Sequence, residues 1–432
     1  MLNFIKYSRF LNNLCVTLQK KLQMLRWIVF LLFVAILEIY AFQAFRTLIK
    51  SKWFFIFYYV TSALAIAFII YQLFHFDRKV GQTPKTMLTF GLLLLLYLPK
   101  LLLTIILFGE DVVRFFMGLF SWATKATPQT FLPERRKFVS QVALGIAAIP
   151  FVSLLYGVTL GKYNFKVIKQ TLFFPDLPDA FDGTTITHIS DVHSGSFDDE
   201  AKIQYAIDLI NAQNSDLVLF TGDIVNTHAT EMDPWIDTFK GIHTPKYGKY
   251  SILGNHDYGE YVEWNSTEEK QANFEAIKDI HRKIDFKLLL NEHIKISNGQ
   301  EQIALVGVEN WGRKFGERGD LKLASEGLSK KDFKIVMSHD PSHWDEKIQH
   351  DENHFHLTLS GHTHGMQFGI EIPGWIKWSP IQYVYKQWAG LYENAGRYIY
   401  VNRGFGFHAY PGRVGIMPEI TVIELKKEEK VV

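Results

Sequence analysis

The chain of 432 residues predicts an α/β domain preceded by an all-α membrane region. Three observations carry that expectation. Residues 1–160 are dominated by long apolar runs, whereas residues 161–432 have the mixed composition of a soluble domain. In the second part, short apolar runs alternate with stretches of helical periodicity, the pattern of strands joined by helices. Five of those apolar runs end directly on a polar cluster, and in open α/β sheets ligands bind beyond the carboxyl ends of the strands.

Taken in order, four stretches approach or exceed the length needed to span a bilayer: Trp27–Phe45, Trp53–Phe76, Met87–Phe108 and Phe138–Val158. Trp27, Trp53 and Tyr97 sit where amphipathic rings favour the headgroup layer. Lys100 interrupts the third stretch; it is read as snorkelling or buried against a neighbouring helix, with a functional role as the alternative. Residues 109–136 link the third and fourth spans, and the aromatic-rich Val112–Thr124 reads as an interfacial helix lying on the membrane. After the fourth span, a strand around Tyr163–Leu172 opens the second domain, and helices are expected at Asp199–Asn211 and Glu268–Lys283.

The five strand-like runs are Thr184–Ser190, Asp216–Thr221, Lys249–Leu253, Phe333–Ser338 and His356–Ser360. They lead into Asp191-Val-His193, Gly222-Asp223, Gly254-Asn255-His256-Asp257, His339, and Gly361-His362-Thr-His364. One rim would thus gather carboxylates, imidazoles and an amide oxygen, a donor set that suits Mn, Fe, Zn or Ni better than Ca. Asp191 and His193 are two apart, as are His362 and His364, so in extended backbone each pair points the same way. The donors are too many for one ion and fit two, with Asp223 shared. Two such ions can clamp an in-line displacement at phosphorus and make hydroxide available near neutrality. His256, the remaining imidazole, is expected to be the general acid for the leaving oxygen, oriented by Asp257.

The order D-x-H, G-D, G-N-H-D, H, G-H-x-H resembles the calcineurin-like metallophosphoesterase superfamily over residues 163 to 427. The G-N-H-D-Y and G-H-T-H-G blocks look most like its bacterial membrane-associated branch, which includes enzymes of lipid-linked and nucleotide-sugar pyrophosphates. The resemblance implies a four-layer sandwich of two mixed β-sheets flanked by helices. It also implies one metal on Asp191, His193, Asp223 and His364, the other on Asp223, Asn255, His339 and His362, and the acid role for His256. No ligand position departs from the pattern.

Two further segments are candidates for substrate contacts. Gly307-Val-Glu309-Asn310-Trp311-Gly312 follows the strand-like Ile303–Val306; its Glu309 and Trp311 are expected as a substrate wall or a capped turn, and Glu309 and Asn310 as candidate substrate contacts. Asn402-Arg403-Gly404-Phe405-Gly406 precedes Pro411-Gly412-Arg413, and Arg403 or Arg413 could take a phosphate bidentately or serve as an ordinary surface arginine. His228, His243, His293, His343, His354, His356 and His408 lack a partner at ligand spacing and are read as surface or core polar groups, with His228 and His343 near enough to the motifs to support them.

The domains are accordingly 1–160, a transmembrane region of about four spans, and 161–432, a catalytic domain. A net charge of +2 gives no general attraction to nucleic acid, and a nuclease is disfavoured for want of a basic groove. The single cysteine, Cys15, excludes an internal disulfide and a zinc–thiolate site. The expected activity is a membrane-anchored phosphoesterase of a phosphorylated or lipid-linked substrate; a tethered phosphatase of soluble substrates and a transporter or sensor with a ligand-binding phosphoesterase domain are the rivals. Sidedness draws on two conflicting signals. Lys6, Arg9, Lys20, Lys21 and Arg26 favour a cytoplasmic N-terminus. Glu134-Arg135-Arg136-Lys137-Phe138-Val139 before the apolar Gln141–Leu155 looks like a twin-arginine export signal, and on that basis the catalytic domain is expected outside the cytoplasm.

Overall fold

A computed structural model describes residues 2–124 and 133–427. It separates into two compact units, Met1–Tyr71 with Leu92–Ser153, and Gln72–Gly91 with Leu154–Val432. The second unit therefore includes the connection between the second and third apolar helices.

The apolar helices are α1 (Leu2–Leu48), α2 (Lys52–Phe74), α3 (Pro84–Thr124) and α4 (Pro133–Thr159). Each contains a window long and apolar enough to cross a bilayer, with mean hydropathy of 2.0 to 2.3. Val112–Thr124 is not a separate interfacial element: α3 runs on through it, with Pro99 inside the helix. At 1.5 Å per residue α3 is about 60 Å long, twice a hydrocarbon core of about 30 Å. Residues 125–132 of the expected linker lie outside the described residues. Within the first unit, small side chains let helices approach closely, as Ala41 and Ala44 of α1 and Ala143 and Ala147 of α4 pack with Leu103 and Leu107 of α3.

Two polar groups are built into this first unit. Lys100 donates to Glu38 at 2.6 Å and to Ser62 at 2.9 Å, while Tyr58 and Tyr97 also donate to the Glu38 carboxylate. Lys100 is thus buried against neighbouring helices and paired, the way a charge persists in an apolar medium. Arg136, from the twin-arginine motif, is bound by Glu110 and Asp111 of α3 at 2.7 Å each and by Gln43 of α1 at 2.8 Å. The motif therefore has structural partners within the bundle.

The second unit is a four-layer sandwich. One sheet holds β1 (Lys166–Phe174), β2 (Thr185–Ile189), β3 (Leu217–Phe220), β4 (Lys249–Ser251), β5 (Lys287–Leu288) and β12 (Glu419–Lys427), in the order β1-β12-β2-β3-β4-β5. The other holds β6 (Glu292–Asn298), β7 (Glu301–Gly307), β8 (Phe333–Met337), β9 (Leu357–Ser360), β10 (Gly390–Asn394) and β11 (Arg397–Val401), in the order β10-β11-β9-β8-β7-β6. Both are mixed: β2, β3 and β4 run parallel, as do β7, β8, β9 and β11, with antiparallel pairs at β12–β2, β10–β11 and β6–β7.

Alternation explains the layering. Leu217 and Leu219 point from β3 to the inter-sheet core, where they meet Ile335 and Met337 of β8 and Leu357 and Leu359 of β9. Val218 and Phe220 point outward to α5 (Glu200–Asn211) and α6 (Thr267–Lys283), whose Ile203, Ile207, Ile277 and Ile280 recur at helical spacing. On the far face, Val306 and Val336 pack on Trp344 and Ile348. Side-chain caps at Asp199 and Ser266 start α5 and α6.

Two expectations for stability follow. His281 of α6 is fully buried, lies 5.8 Å from the Phe220 ring, and neither ring nitrogen has a hydrogen-bond partner among the described residues. Burial lowers its pKa from 6.5 to about 3. A lowered imidazole value contributes stability above pH 6.5 that is lost as pH falls toward 3, at up to about 1.4 kcal/mol per pH unit. His281→Leu should flatten this part of the acid limb in urea denaturation across that range. In the first unit, Lys100→Met should destabilise the full-length protein in detergent by about 3–5 kcal/mol by stranding Glu38, and Lys100→Met with Glu38→Leu should recover most of it; a double variant as unstable as the single would refute the pairing.

Candidate metal centre

The parallel strands of both sheets deliver their carboxyl ends to one rim. β2 leads to Asp191 and His193, β3 to Asp223, β4 to Asn255 and His256, β8 to His339, and β9 to His362 and His364. The chain turns sharply there. Asp191, His193, Asp223, His362 and His364 all adopt left-handed backbone, with φ of 54°, 49°, 60°, 70° and 50°. Such conformations are unfavourable for residues with a Cβ and persist when the surroundings over-determine them. Here the restraint is main-chain pairing: Asp191 N–H donates to Gly222 O at 2.9 Å, His193 N–H to Asp223 O at 3.1 Å, and Gly361 N–H to His339 O at 2.9 Å. Gly254 and Gly361 permit the close approach, since a Cβ on either would collide with the carboxylate of Asp223 or Asp191.

The result is two sets of donors. Asp191, His193 and His364 form one, and Asp223, His339 and His362 the other; within each, the ligand-capable atoms lie within 4.8 Å of one another. Asp223 Oδ2 links them, at 3.1 Å from His339 Nε2 and 3.6 Å from His193 Nε2. Asp191 Oδ1 lies 3.2 Å from His364 Nε2 and 4.0 Å from His339 Nε2. Asn255 joins the second set through its Oδ1, 2.7 Å from His362 Nδ1. All seven expected ligand positions therefore converge.

The hydrogen bonds behind the donors set their direction. His339 Nδ1 donates to the Thr221 carbonyl at 2.7 Å and His193 Nδ1 to Asn226 Oδ1 at 3.0 Å, which turns each Nε2 toward the centre. The buried Nε2 atoms of His339 and His364 have no hydrogen-bond partner among the described residues, although each is near a carboxylate. Unpaired buried imidazole nitrogens beside carboxylate oxygens fit a divalent transition ion, whose charge would offset Asp191 and Asp223.

Electrostatics agree. Burial opposes a charge on His339, but the carboxylates of Asp223 and Asp191 outweigh it and raise its pKa to about 10. Burial likewise opposes ionisation of Asp223 and Asp191, yet the adjoining imidazoles hold both carboxyls below the ordinary range. The centre is a pair of buried anions that requires positive charge.

Several expected roles change. Asp257 does not orient His256. Its carboxylate accepts the N–H groups of Gly254 at 2.8 Å and of Asp223 and Ile224 at 2.9 Å each, which braces the Asp223 turn against β4. Burial and then the charge of Asp223 push that carboxyl up to about 7. His256 is oriented instead by the Asn226 carbonyl, which accepts from Nδ1 at 2.7 Å, and its ring lies 4.4 Å from Tyr261. Arg403 is not directed at the centre: Glu371 and Glu419 hold its guanidinium. Arg413 is fully buried and donates to the carbonyls of Arg403, Gly404 and Gly406, bracing the glycine-rich turn, and its Nη2 lies 3.1 Å from His364 Nδ1 behind the centre. Glu309 accepts from Tyr258 and Asn291, and Asn310 donates to the Phe315 carbonyl, so both secure a turn. His343 bonds to Ser338, and His356 to Asp176, outside the centre.

Asn226 has no motif to mark it in the sequence beyond standing three residues after Asp223, directly after Ile224-Val225. Glu231 holds its loop by accepting the N–H groups of Asn226, Thr227 and His228. Tyr385, with its hydroxyl 2.9 Å from His362 Nε2 and 3.2 Å from Asp340, had no sequence signal at all.

Comparison with known proteins is consistent with this geometry. Residues 25–162 match the family described as "Probable Calcineurin-like phosphoesterase, transmembrane domain", and residues 184–366 match "Calcineurin-like phosphoesterase". The metallophosphoesterase YkuE of Bacillus subtilis (strain 168) is 30% identical over 63% of this chain and 89% of its own. Phosphodiesterase YaeI of Escherichia coli (strain K12) is 28% identical over 68% of this chain and 99% of its own. A transmembrane protein with metallophosphoesterase domain from Danio rerio is 26% identical over 65% of this chain and 61% of its own. The four apolar helices, the double-sheet sandwich and the His/Asp clusters at its rim thus have one common explanation: the chain belongs to the calcineurin-like metallophosphoesterases and is an integral membrane, metal-dependent phosphoester hydrolase.

Proposed function

We propose that the catalytic domain, residues 161–432, is a dinuclear phosphoesterase acting on a phosphoester or pyrophosphate of lipid-linked or cell-envelope chemistry. Asp191, His193, Asp223 and His364 would hold one ion, and Asp223, Asn255, His339 and His362 the other. The observation that carries this reading is Asp223, whose Oδ2 sits between imidazole nitrogens of both donor sets. A bound pair of divalent ions supplies neutralisation of phosphoryl charge and a water acidic enough to serve as nucleophile near neutrality.

The chain's own groups do the rest. Thr221 and Asn226 hold the imidazoles in the tautomers that ligation needs. His256 has Nδ1 committed to a carbonyl, so its Nε2 is the atom that exchanges a proton with the leaving oxygen. Asp257 keeps the Asp223 and Asn255 turns in register through main-chain N–H groups. The lipid-linked substrate class is supported by the spanning helices, which keep the site near membrane-bound esters.

Full-length protein loaded with manganese would be assayed in detergent and in liposomes against a chromogenic phosphomonoester, a phosphodiester and a lipid-linked pyrophosphate. Turnover on the lipid-linked compound is expected to exceed the others, and chelation should abolish it. Asp223→Asn should eliminate turnover, and His256→Ala should lower it by about 10²–10⁴-fold with metal content retained. Full activity in both variants would refute the assignment; equal turnover of soluble esters, independent of liposomes, would refute the substrate class. Asn226→Ala should weaken manganese binding about 10–100-fold, read by metal titration, because His193 loses the group that orients it.

A further inference from the structure

The loop between β11 and β12 presents an imidazole that the mechanism above does not use. His408 is half-buried, and its ring lies 4.9 Å from that of His193 and 4.5 Å from that of His256. Donor nitrogens of these three histidines all lie within 4.8 Å of one another. Both neighbours already have their Nδ1 tied to Asn226, through its side chain for His193 and its carbonyl for His256. His408 therefore flanks the proton-exchanging imidazole on the rim of the site.

Its backbone is held from two directions. His408 N–H donates to Gln367 Oε1 at 2.5 Å, and Ala409 N–H donates to Gln82 Oε1 at 2.8 Å. Gln82 belongs to the α2–α3 connection. Its Nε2 donates to Ser196 Oγ at 3.1 Å, and Ser196 in turn bonds Asn226. One glutamine thus joins the His408 loop to the group that orients His193. Gln367 is itself held through the carbonyls of Tyr410 and Gly412 at 2.9 Å each. Ala409 is kept at φ 61°, a conformation a residue with a Cβ adopts only under constraint. A strained, doubly anchored loop that ends in an imidazole is positioned for contact rather than for packing.

Two kinds of occupant suit three imidazoles. A cation would find no carboxylate within this trio, and His193 already faces Asp223. A phosphoryl oxygen brings its own negative charge and accepts from a neutral imidazole N–H. We propose that His408 is a substrate contact that donates to a phosphoryl oxygen beside His256, with Gln82 and Gln367 as the residues that position it. The inference rests on the dinuclear phosphoesterase reading.

The test uses full-length, manganese-loaded protein with inorganic phosphate as the probe, measured by calorimetry and as a competitive inhibitor. His408→Ala should weaken phosphate binding and raise KM by about tenfold, the worth of one charge-assisted hydrogen bond, with manganese stoichiometry unchanged. His408→Gln, which keeps a donor, should recover part of the loss. Gln82→Ala should shift KM in the same direction, and Gln82→Glu, which keeps the acceptor for Ala409, should restore it. Unchanged phosphate binding in His408→Ala would overturn the proposal, and so would the loss of a manganese equivalent, which would make His408 a ligand. Wild-type protein that binds manganese but neither phosphate nor any ester would overturn the phosphoesterase reading and this inference together.

Discussion

Two buried carboxylates, Asp191 and Asp223, organise the catalytic unit. Each is removed from water at the line where two sheets meet, and the basic groups paired with each are imidazoles. Burial of that much negative charge is tolerable only if positive charge comes to the same place. In the protein alone His339 answers part of the demand, which is why its pKa rises against its own burial. Divalent ions answer it more completely. The neighbouring architecture, from the Thr221 carbonyl behind His339 to the N–H groups around Asp257, keeps this charge cluster from relaxing.

The same constraint explains the backbone. In extended backbone Asp191 and His193, like His362 and His364, would share a face of the strand, but that face alone does not aim them at one point beyond its end. Left-handed turns at Asp191, His193, Asp223, His362 and His364 redirect them toward one centre. The strain is compensated by main-chain pairing between motifs that are distant in sequence, as in the Gly361–His339 bond and the contact of His362 N–H with the Asp191 carboxylate. Local strain is located at the donor residues because convergence of their side chains on one point cannot be met by regular structure.

The apolar unit solves a related problem in a different solvent. Lys100 and Glu38, with Ser62, Tyr58 and Tyr97, form a closed polar group where water is scarce, and Arg136 does the same with Glu110, Asp111 and Gln43. Such groups select one arrangement of helices, since any rotation would strand a charge. They also give the Arg135-Arg136 pair a role that its resemblance to an export motif does not require.

Much of this was legible in the chain itself. Runs of bulky apolar residues declare spanning helices, and short apolar strand-like runs ending on Asp, His and Asn declare a ligand rim, because composition and spacing alone decide which segments can be buried and which donors share a side. The tertiary structure decided what local pattern cannot encode. It turned Asp257 from the expected partner of His256 into a brace for Asp223, because the nearer acceptor for His256 is a carbonyl thirty residues away. It drew Arg403 into an ion pair with Glu371 and Glu419, and it brought Gln82 against Ser196 and Ala409, 114 and 327 residues distant. Ligand identity follows from side-chain chemistry, which the sequence spells out. Which groups orient, brace or flank those ligands depends on long-range packing, and packing exists only once the chain has folded.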